Sequence, residues 1–216
     1  MIQQSTKELN NTAVEIEFLL ISVIQGLALQ FLVSVAVTPF VQFQFEYWLY
    51  IISGFLLILI FWTQAIVHAL SFIQWPIDLT HTFLYFLVSF VEVLVFYQVG
   101  SPFRWFIFGT VFLIAGSVLY TYDFLMIRKR RETLAYSEKR KRLYDHMYHM
   151  QKKELTFYLP AALIFSLMSA GLIYVYPDVF IKNHVHVALS GLQTLFSIIL
   201  LVITVKNFYR RMGLLP

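Results

Sequence analysis

The stretch YWLYIISGFLLILIFWTQAIVHAL, residues 47–70, contains no Asp, Glu, Lys or Arg. A helix that spans the hydrocarbon core of a bilayer needs about 20 consecutive and mostly apolar residues, and this stretch meets that requirement. Over the whole chain, 59% of the residues are hydrophobic and only 13% are charged, whereas an ordinary soluble domain is roughly a quarter charged. The composition therefore predicts a membrane protein.

Five further apolar runs lie on either side of this stretch. The six predicted spans cover residues 18–37, 47–70, 82–99, 103–126, 156–176 and 184–206. Pro39, Pro102 and Pro177 are expected in the gaps, where the missing N–H group costs least. We predict an all-α, polytopic membrane protein built as a six-transmembrane-helix bundle. Its parts are 1–127 with spans 1 to 4, a basic segment at 128–155, and 156–216 with spans 5 and 6.

Basic residues are concentrated between spans 4 and 5. Residues 128–154 hold ten of the sixteen Lys and Arg residues, and Leu143, Met147 and Met150 recur there at helical spacing. We expect an amphipathic basic helix. Because basic loops face the cytoplasm, this segment and both termini are predicted to be cytoplasmic, in a plasma (inner) membrane. Arg128–Lys153 would then contact anionic lipid or a soluble partner, and no nucleic-acid-binding fold accompanies the charge.

Polar residues within the spans mark helix faces that meet protein or water. In span 1 such a face, with two apolar members, is formed by Ser22, Gln25, Gly26, Leu29, Gln30 and Val33. In span 6 a row of hydroxyls is formed by Ser190, Thr194 and Ser197. Two interpretations stay open, because such rows either form hydrogen bonds between helices or line a water-filled path.

Small residues recur at helical spacing in spans 4 and 5. Gly109 and Gly116 are seven residues apart, and Ala162, Ser166 and Ala170 follow one another at intervals of four. Small residues let the backbones of two membrane helices approach closely. We therefore predict that these faces pack against other helices.

The inner ends of spans 2 and 3 carry a polar cluster, formed by Gln64, His68, Asp78 and His81. A capped and hydrogen-bonded turn between the two spans explains this cluster adequately. In span 4, Asp123 lies near Arg128 in sequence, and we expect the two side chains to form an ion pair.

Glu92 is the most unusual residue of the spans, because SFVEVLVFYQVG, residues 89–100, is otherwise apolar or aromatic around it. It lies about 12 Å below the outer end of its helix, at about 1.5 Å per residue. No basic residue of the spans is deep enough to pair with it. Glu92 is therefore either a protonated acid that donates a hydrogen bond to a neighbouring helix, or a group in a wet cavity that binds cations or protons.

Two stretches carry a resemblance to a known family, namely SVIQG at 22–26 and YIISGFLLILIFW at 50–62. The chain resembles the six-helix endolysosomal-type potassium channels and their prokaryotic relatives. That family has a Phe-Ser-Asp-Gly motif in its first helix and a tryptophan toward the end of its second. Gly26 matches the motif glycine and Trp62 is similar in placement, whereas Val23, Ile24 and Gln25 stand where the motif has Phe, Ser and Asp.

The resemblance implies a homo-oligomer whose first helices line a pore that apolar side chains close. It implies that Ser22, Leu29 and Val33 line this pore and that monovalent cations pass through it. The function predicted from the sequence is accordingly a homo-oligomeric cation channel of the potassium type.

Two other functions stay open. The first is a non-catalytic membrane subunit or scaffold, in which Glu92 and the hydroxyl rows dock the helices of a partner. The second is a haem-bearing redox protein that uses His68 with His81, or His184 with His186, as ligands. The chain has no cysteine and no Gly-x-Ser-x-Gly or His-Glu-x-x-His motif, so we predict no catalytic residue, no metal site and no cofactor.

Overall fold

The computed structural model describes residues 2–72, 78–133 and 138–212, with side chains over 8–70, 78–132, 138 and 141–210. Within these residues all regular elements are helical. The α-helices are α1 (Ile2–Val41), α2 (Trp48–Phe72), α3 (Leu79–Phe96), α4 (Pro102–Thr133), α5 (Glu138–Lys153), α6 (Leu159–Val175) and α7 (His186–Met212). Short helical turns cover Phe45–Tyr47, Glu154–Tyr158 and Asp178–Lys182.

Six helical runs of the described chain are long and apolar enough to cross a membrane, which confirms the predicted number of such helices. They are Glu8–Val41, Phe45–Leu70, Leu79–Phe96, Pro102–Glu132, Lys141–Val175 and His186–Arg210. Each contains a window of 18 residues with high mean hydropathy and at most two charged side chains. These six helices suggest an integral membrane protein.

The end of the first span differs from the prediction. Pro39 lies inside α1 and not in the gap after it, because the helix continues to Val41. A proline removes one backbone N–H group, and here it does so only in the last turn of the helix. Its carbonyl oxygen accepts hydrogen bonds from the backbone of Gln44 at 2.9 Å and from the indole of Trp48 at 3.4 Å.

The basic segment is divided between the end of α4 and the helix α5. Residues 128–133 extend α4, residues 134–137 lie outside the described part, and α5 leads through the turn Glu154–Tyr158 directly into α6. Leu143 and Met147 of α5 are buried with Ile127 of α4, and Met150 is half-buried. Their helical spacing therefore reflects packing of α5 onto the end of α4.

Helices that are neighbours in space are not always neighbours in the sequence. α1 packs against α2 and α3, α2 also against α7, α3 against α4, and α4 against α6. A cavity of about 150 Å³ lies among α2, α4, α6 and α7. We call the end of the bundle with the junction of α4 and α5 the basic end.

The small residues of α4 and α6 lie along the contact between these helices or beside this cavity. The Ser166 hydroxyl donates a hydrogen bond to the Phe106 carbonyl oxygen at 2.8 Å, and a Cβ atom on Gly109 would lie 3.4 Å from that hydroxyl. Gly116 and Ala162 line the cavity. Ala170 is buried farther along α6.

Candidate functional site

One face of α3 carries four buried polar residues, which are His81, Tyr85, Ser89 and Glu92. Their spacing of three to four residues places them on one side of the helix. Asp78 fixes the start of α3, because its carboxylate accepts hydrogen bonds from the backbone N–H groups of residues 80 and 81. This polar face is directed into the bundle and meets α1, α2 and α4.

The deeper part of this face is the Glu92 site, formed by Gln25, Tyr85, Ser89 and Glu92. Glu92 has no exposed surface, so it lies in the protein interior. The Gln25 amide of α1 donates hydrogen bonds to the Tyr85 hydroxyl at 3.1 Å and to Glu92 Oε2 at 3.4 Å. Gln25 is thus one of the polar groups that can hold Glu92 without a basic partner.

The Glu92 site has unused hydrogen-bonding capacity. Glu92 Oε1, Gln25 Oε1 and Ser89 Oγ are buried and have no hydrogen-bond partner among the described residues. A carboxylate at Glu92 accepts from the amide of Gln25, whereas a neutral acid adds a donor that the Gln25 oxygen can accept. Both protonation states of Glu92 can therefore be hydrogen-bonded in this site.

The second part of the face, toward the basic end, is the inner cluster of Glu17, His68, His81 and Asp123. His68 Nδ1 lies 3.5 Å from Asp123 Oδ2, and His81 Nε2 lies 3.5 Å from Asp123 Oδ1. The other ring nitrogen of His81 lies 3.8 Å from Glu17 Oε1. The imidazole rings are stacked with their centroids 3.8 Å apart. Four different helices supply these four side chains.

The predicted ion pair of Asp123 is wrong. Asp123 contacts the two histidines, whereas Arg128 lies 3.6 Å from Glu132 on the surface of α4. Asp123 and Arg128 are five residues apart, so a straight helix does not place them on adjacent turns of one face. Asp78, near the same end, accepts a hydrogen bond of 2.6 Å from the Tyr122 hydroxyl.

A small cavity lies beside the inner cluster and reaches Tyr85 of the Glu92 site. It has a volume of about 30 Å³ and is lined by His68, His81, Asp123 and Tyr85, together with Gln151 of α5. A water molecule needs roughly 10–15 Å³ of such space, so the cavity has room for one or two. Tyr85 thus borders the cavity and also accepts the hydrogen bond from Gln25. We call the inner cluster, this cavity and the Glu92 site together the buried polar column.

Beyond Glu92 the column ends in apolar packing. Val95 and Phe96 occupy the next turn of α3 and are fully buried. At the same level α1 and α2 approach closely, since a Cβ atom on Gly54 would lie 3.0 Å from a methyl group of Leu32.

The predicted face of α1 divides into two parts. Gln25 is buried against α3, whereas the other members lie on the surface of the chain: Ser22, Gly26, Leu29, Gln30 and Val33. Gly26 has no neighbouring atom within 4 Å of the position of a Cβ atom. A row with polar members therefore lies on the outside of the bundle.

The hydroxyl row of α7 is buried in the contact with α2. Thr194 shares a hydrogen bond of 2.7 Å with Ser53, and Ser190 donates to a carbonyl oxygen of its own helix. Ser197 is buried beside the larger cavity, and Gln64 donates to Thr204 at 3.4 Å. In the described part of the chain, none of these residues forms a hydrogen bond with Glu92.

From the sequence we did not predict that Glu17 belongs to the site, or that Asp123 contacts the two histidines. A signal was present for Glu17, because it shares a face at helical spacing with Ile21, Gln25 and Ala28, and all four are buried. Asp123 carries no such signal, since its partners lie on two other helices. Among the described residues, His68, His81 and Asp123 form the single set whose ligand atoms approach closely enough to hold a metal ion.

The arrangement of the histidines bears on the haem hypothesis. Axial ligation by two histidines requires that the macrocycle lie between their rings. The His68 and His81 rings are in direct stacking contact, so no macrocycle fits between them in this arrangement. His184 and His186 lie 6.0 Å apart, centroid to centroid, on the same short segment.

No family model matches the chain, and no match was found among curated proteins or solved structures. The resemblance to the endolysosomal-type potassium channels therefore stays a prediction.

Proposed function

We propose that this chain is an integral membrane protein that conducts protons along the buried polar column. The observation that supports this proposal is the contiguity of ionisable and hydroxyl groups from the inner cluster to Glu92. Acids and histidines inside membrane helices are costly and are found along ion paths and proton relays. The path is internal to one chain and involves α1 to α4.

The size of the column favours protons over hydrated ions. The cavity beside the inner cluster has room for one or two water molecules, which is too little for a cation with its hydration shell. Donor and acceptor atoms are 3.1–3.8 Å apart within the two polar groups. In this proposal protons pass among the ionisable and hydroxyl groups, with water between them, by small rotations and with no wide opening. The Gln25 amide only orients Tyr85 and Glu92, because an amide does not exchange a proton.

In this proposal the basic end faces the cytoplasm of a cell whose plasma (inner) membrane holds the protein. The positive-inside rule supports this orientation, because fourteen of the sixteen basic residues then lie on the cytoplasmic side. In this orientation protons enter the column from the cytoplasm. The apolar packing beyond Glu92 is the barrier that must open for them to leave on the other side. Arg128–Lys153 would contact anionic lipid at this surface.

Glu92→Gln is the variant that tests proton conduction. We expect proton flux into liposomes to fall at least about 100-fold, the lower end of the range for loss of a positioned proton-transfer group. The amide has the size of the acid and keeps a donor and an acceptor, but it does not exchange a proton. Flux is measured with a trapped pH-sensitive dye after a potassium gradient and valinomycin set the membrane potential.

The matched control is Ser166→Ala, which removes a buried hydrogen bond at the contact of α4 and α6, away from the column. It should conduct like the unaltered protein. The proposal is rejected if Glu92→Gln conducts as the control does, or if the unaltered protein gives no more flux than empty liposomes.

The second candidate function is the homo-oligomeric cation channel, with α1 of each copy around a central pore. The observation that favours it is the exposed row of Ser22, Gly26 and Gln30, since a glutamine amide has no partner among acyl chains. The resemblance to the potassium channels points to the same helix. A scaffold that docks a partner's helix on this row is the alternative explanation.

Gly26→Leu tests the role of this row. If α1 helices meet there, the added side chain should separate them by steric exclusion and abolish both the oligomer and potassium flux. Gly171→Leu is the control, because that glycine of α6 is also exposed and also has no atom within 4 Å. Native mass in detergent and flux in liposomes are the measurements. If the unaltered protein has the mass of a single chain, it does not form the oligomer. If it forms an oligomer that Gly26→Leu leaves intact, the α1 helices do not meet at the centre of that oligomer.

A further inference from the structure

We propose that the inner cluster is a binding site for a divalent transition metal, with zinc as the representative ion. The ligands are His68 Nδ1, His81 Nε2 and the carboxylate of Asp123, and Glu17 positions one of them. The inference goes beyond proton conduction and does not depend on it, because a metal can bind here in a protein that conducts nothing.

The distances among the three ligand groups are close to those of a metal site, although the two histidines lie next to different oxygens of Asp123. In tetrahedral zinc sites the bonds are about 2.0–2.2 Å long, which separates neighbouring ligand atoms by roughly 3.3–3.6 Å. Here the carboxylate oxygens of Asp123 lie 3.5 Å from each histidine nitrogen, and all three ligand atoms lie within 4.8 Å of one another. The stacked rings must tilt apart for both lone pairs to point at one ion.

Glu17 stands where a supporting carboxylate is expected. Histidines that bind metal with one nitrogen commonly donate the other N–H to a carboxylate, which fixes the ring and its tautomer. His81 directs Nε2 toward Asp123 and Nδ1 toward Glu17 Oε1 at 3.8 Å. The second oxygen of Glu17 is buried and has no hydrogen-bond partner in the part of the chain that the structure describes. Glu17 is thus a positioning residue for His81.

The charge of the cluster also favours a cation. Among the described residues, neither Glu17 nor Asp123 forms an ion pair with a Lys or Arg. The carboxylate of Asp78 is also near both and adds negative charge. A buried carboxylate and a largely buried one without a cation are costly. One divalent ion with two neutral imidazoles would balance the charges of Glu17 and Asp123.

The donor set indicates which metals fit. Two imidazole nitrogens and a carboxylate suit zinc and other divalent first-row metals, whereas calcium and magnesium prefer oxygen ligands alone. Three protein ligands leave one position open, as in zinc sites that bind water. The adjoining cavity of about 30 Å³ has space for that water.

Cobalt is the probe, because its visible absorption reports coordination geometry whereas zinc is spectroscopically silent. The protein is purified without a histidine tag, stripped with chelator and titrated with Co²⁺, and then Zn²⁺ is added as a competitor. We expect one cobalt per chain with the intense bands of a tetrahedral site, and we expect zinc to remove them.

Four variants distinguish the metal ligands from the positioning residue and from a histidine outside the cluster. Asp123→Asn and His81→Gln should abolish the tetrahedral bands. Glu17→Gln should keep the band shape and weaken affinity roughly 10–100-fold, as for supporting groups in other metal sites. His186→Gln is the control, since His186 is a buried histidine that contacts Tyr50 and lies outside the cluster. It should bind like the unaltered protein.

Three results overturn the site: no binding by the unaltered protein, weak bands of a six-coordinate ion, or binding that His81→Gln leaves unchanged. If the ligand variants do not fold, the spectrum and stoichiometry of the unaltered protein decide the question. Metal binding without proton flux keeps this site and rejects the conduction proposal. Proton flux without metal binding rejects this site and keeps the conduction proposal.

Discussion

Gly54→Leu should destabilise the bundle by about 3 kcal/mol, the upper part of the usual range for overpacking a core. A Cβ atom at this position of α2 would lie 3.0 Å from the Leu32 Cδ1 atom of α1 and 3.2 Å from the Phe96 Cε1 atom of α3. Leu32 and Phe96 are themselves buried, and both would have to shift, although Leu32 also borders a surface groove. The remaining atoms of a leucine side chain would force the three helices apart.

Gly171→Leu is the matched control for this substitution. It adds the same side chain to another membrane-type helix, at an exposed position with no atom within 4 Å. Thermal unfolding in detergent, followed by tryptophan fluorescence and by size-exclusion chromatography, gives the two melting temperatures. Equal melting temperatures for the two variants would show that α1, α2 and α3 do not meet closely at Gly54.

The spans were predictable because each depends on local composition. A run of about 20 apolar residues is sufficient evidence for a membrane helix, whatever its neighbours are. The ends of the helices were less predictable. Pro39 was placed outside the first span, but α1 continues beyond it to Val41. The sequence does not indicate that the loss of one N–H group is tolerated in the last turn.

Some residues of the buried polar column were predictable in the same way. Glu92, His68 and His81 are conspicuous because each interrupts or borders an apolar run. Glu17 and Asp123 are less conspicuous, since they stand near the ends of their spans, where acids are common. Which of these side chains meet depends on how α1, α2, α3 and α4 are arranged around one another. Helical periodicity gives the face of each helix but not the neighbour of that face.

The hydroxyl row of α7 is a second case in which periodicity identifies the face of a helix but not the helix that this face contacts. Ser190, Thr194 and Ser197 share a face as expected, but that face meets α2. A row of hydroxyls looks identical in sequence whether it bonds to a neighbouring backbone or lines water. Here Thr194 also donates to the backbone of Leu49 at 3.2 Å. The row therefore serves the contact between two helices, and the column of α3 is formed by other residues.

Glu92→Leu should lower the free energy of unfolding by about 1–3 kcal/mol, the usual penalty for leaving a buried polar group without its partner. The Gln25 amide would lose one of its two acceptors, because its hydrogen bond of 3.4 Å to Glu92 Oε2 disappears. Both residues are buried, so bulk water does not readily replace the lost acceptor. Glu92→Gln should be nearly silent in the same measurement, because the new amide can donate to Gln25 Oε1, which has no hydrogen-bond partner among the described residues.

A double-mutant cycle tests whether this penalty arises from the contact between the two side chains. Replacing both Gln25 and Glu92 by leucine removes the donor and the acceptor together, and such a change is often close to neutral. We therefore expect the double variant to be more stable than the sum of the two single effects implies, with a coupling of about 1 kcal/mol. The measurement is thermal or denaturant unfolding of all four proteins in one detergent. Strictly additive effects would mean that Gln25 and Glu92 do not interact, and the deeper half of the column would then lack the contact that joins α1 to α3.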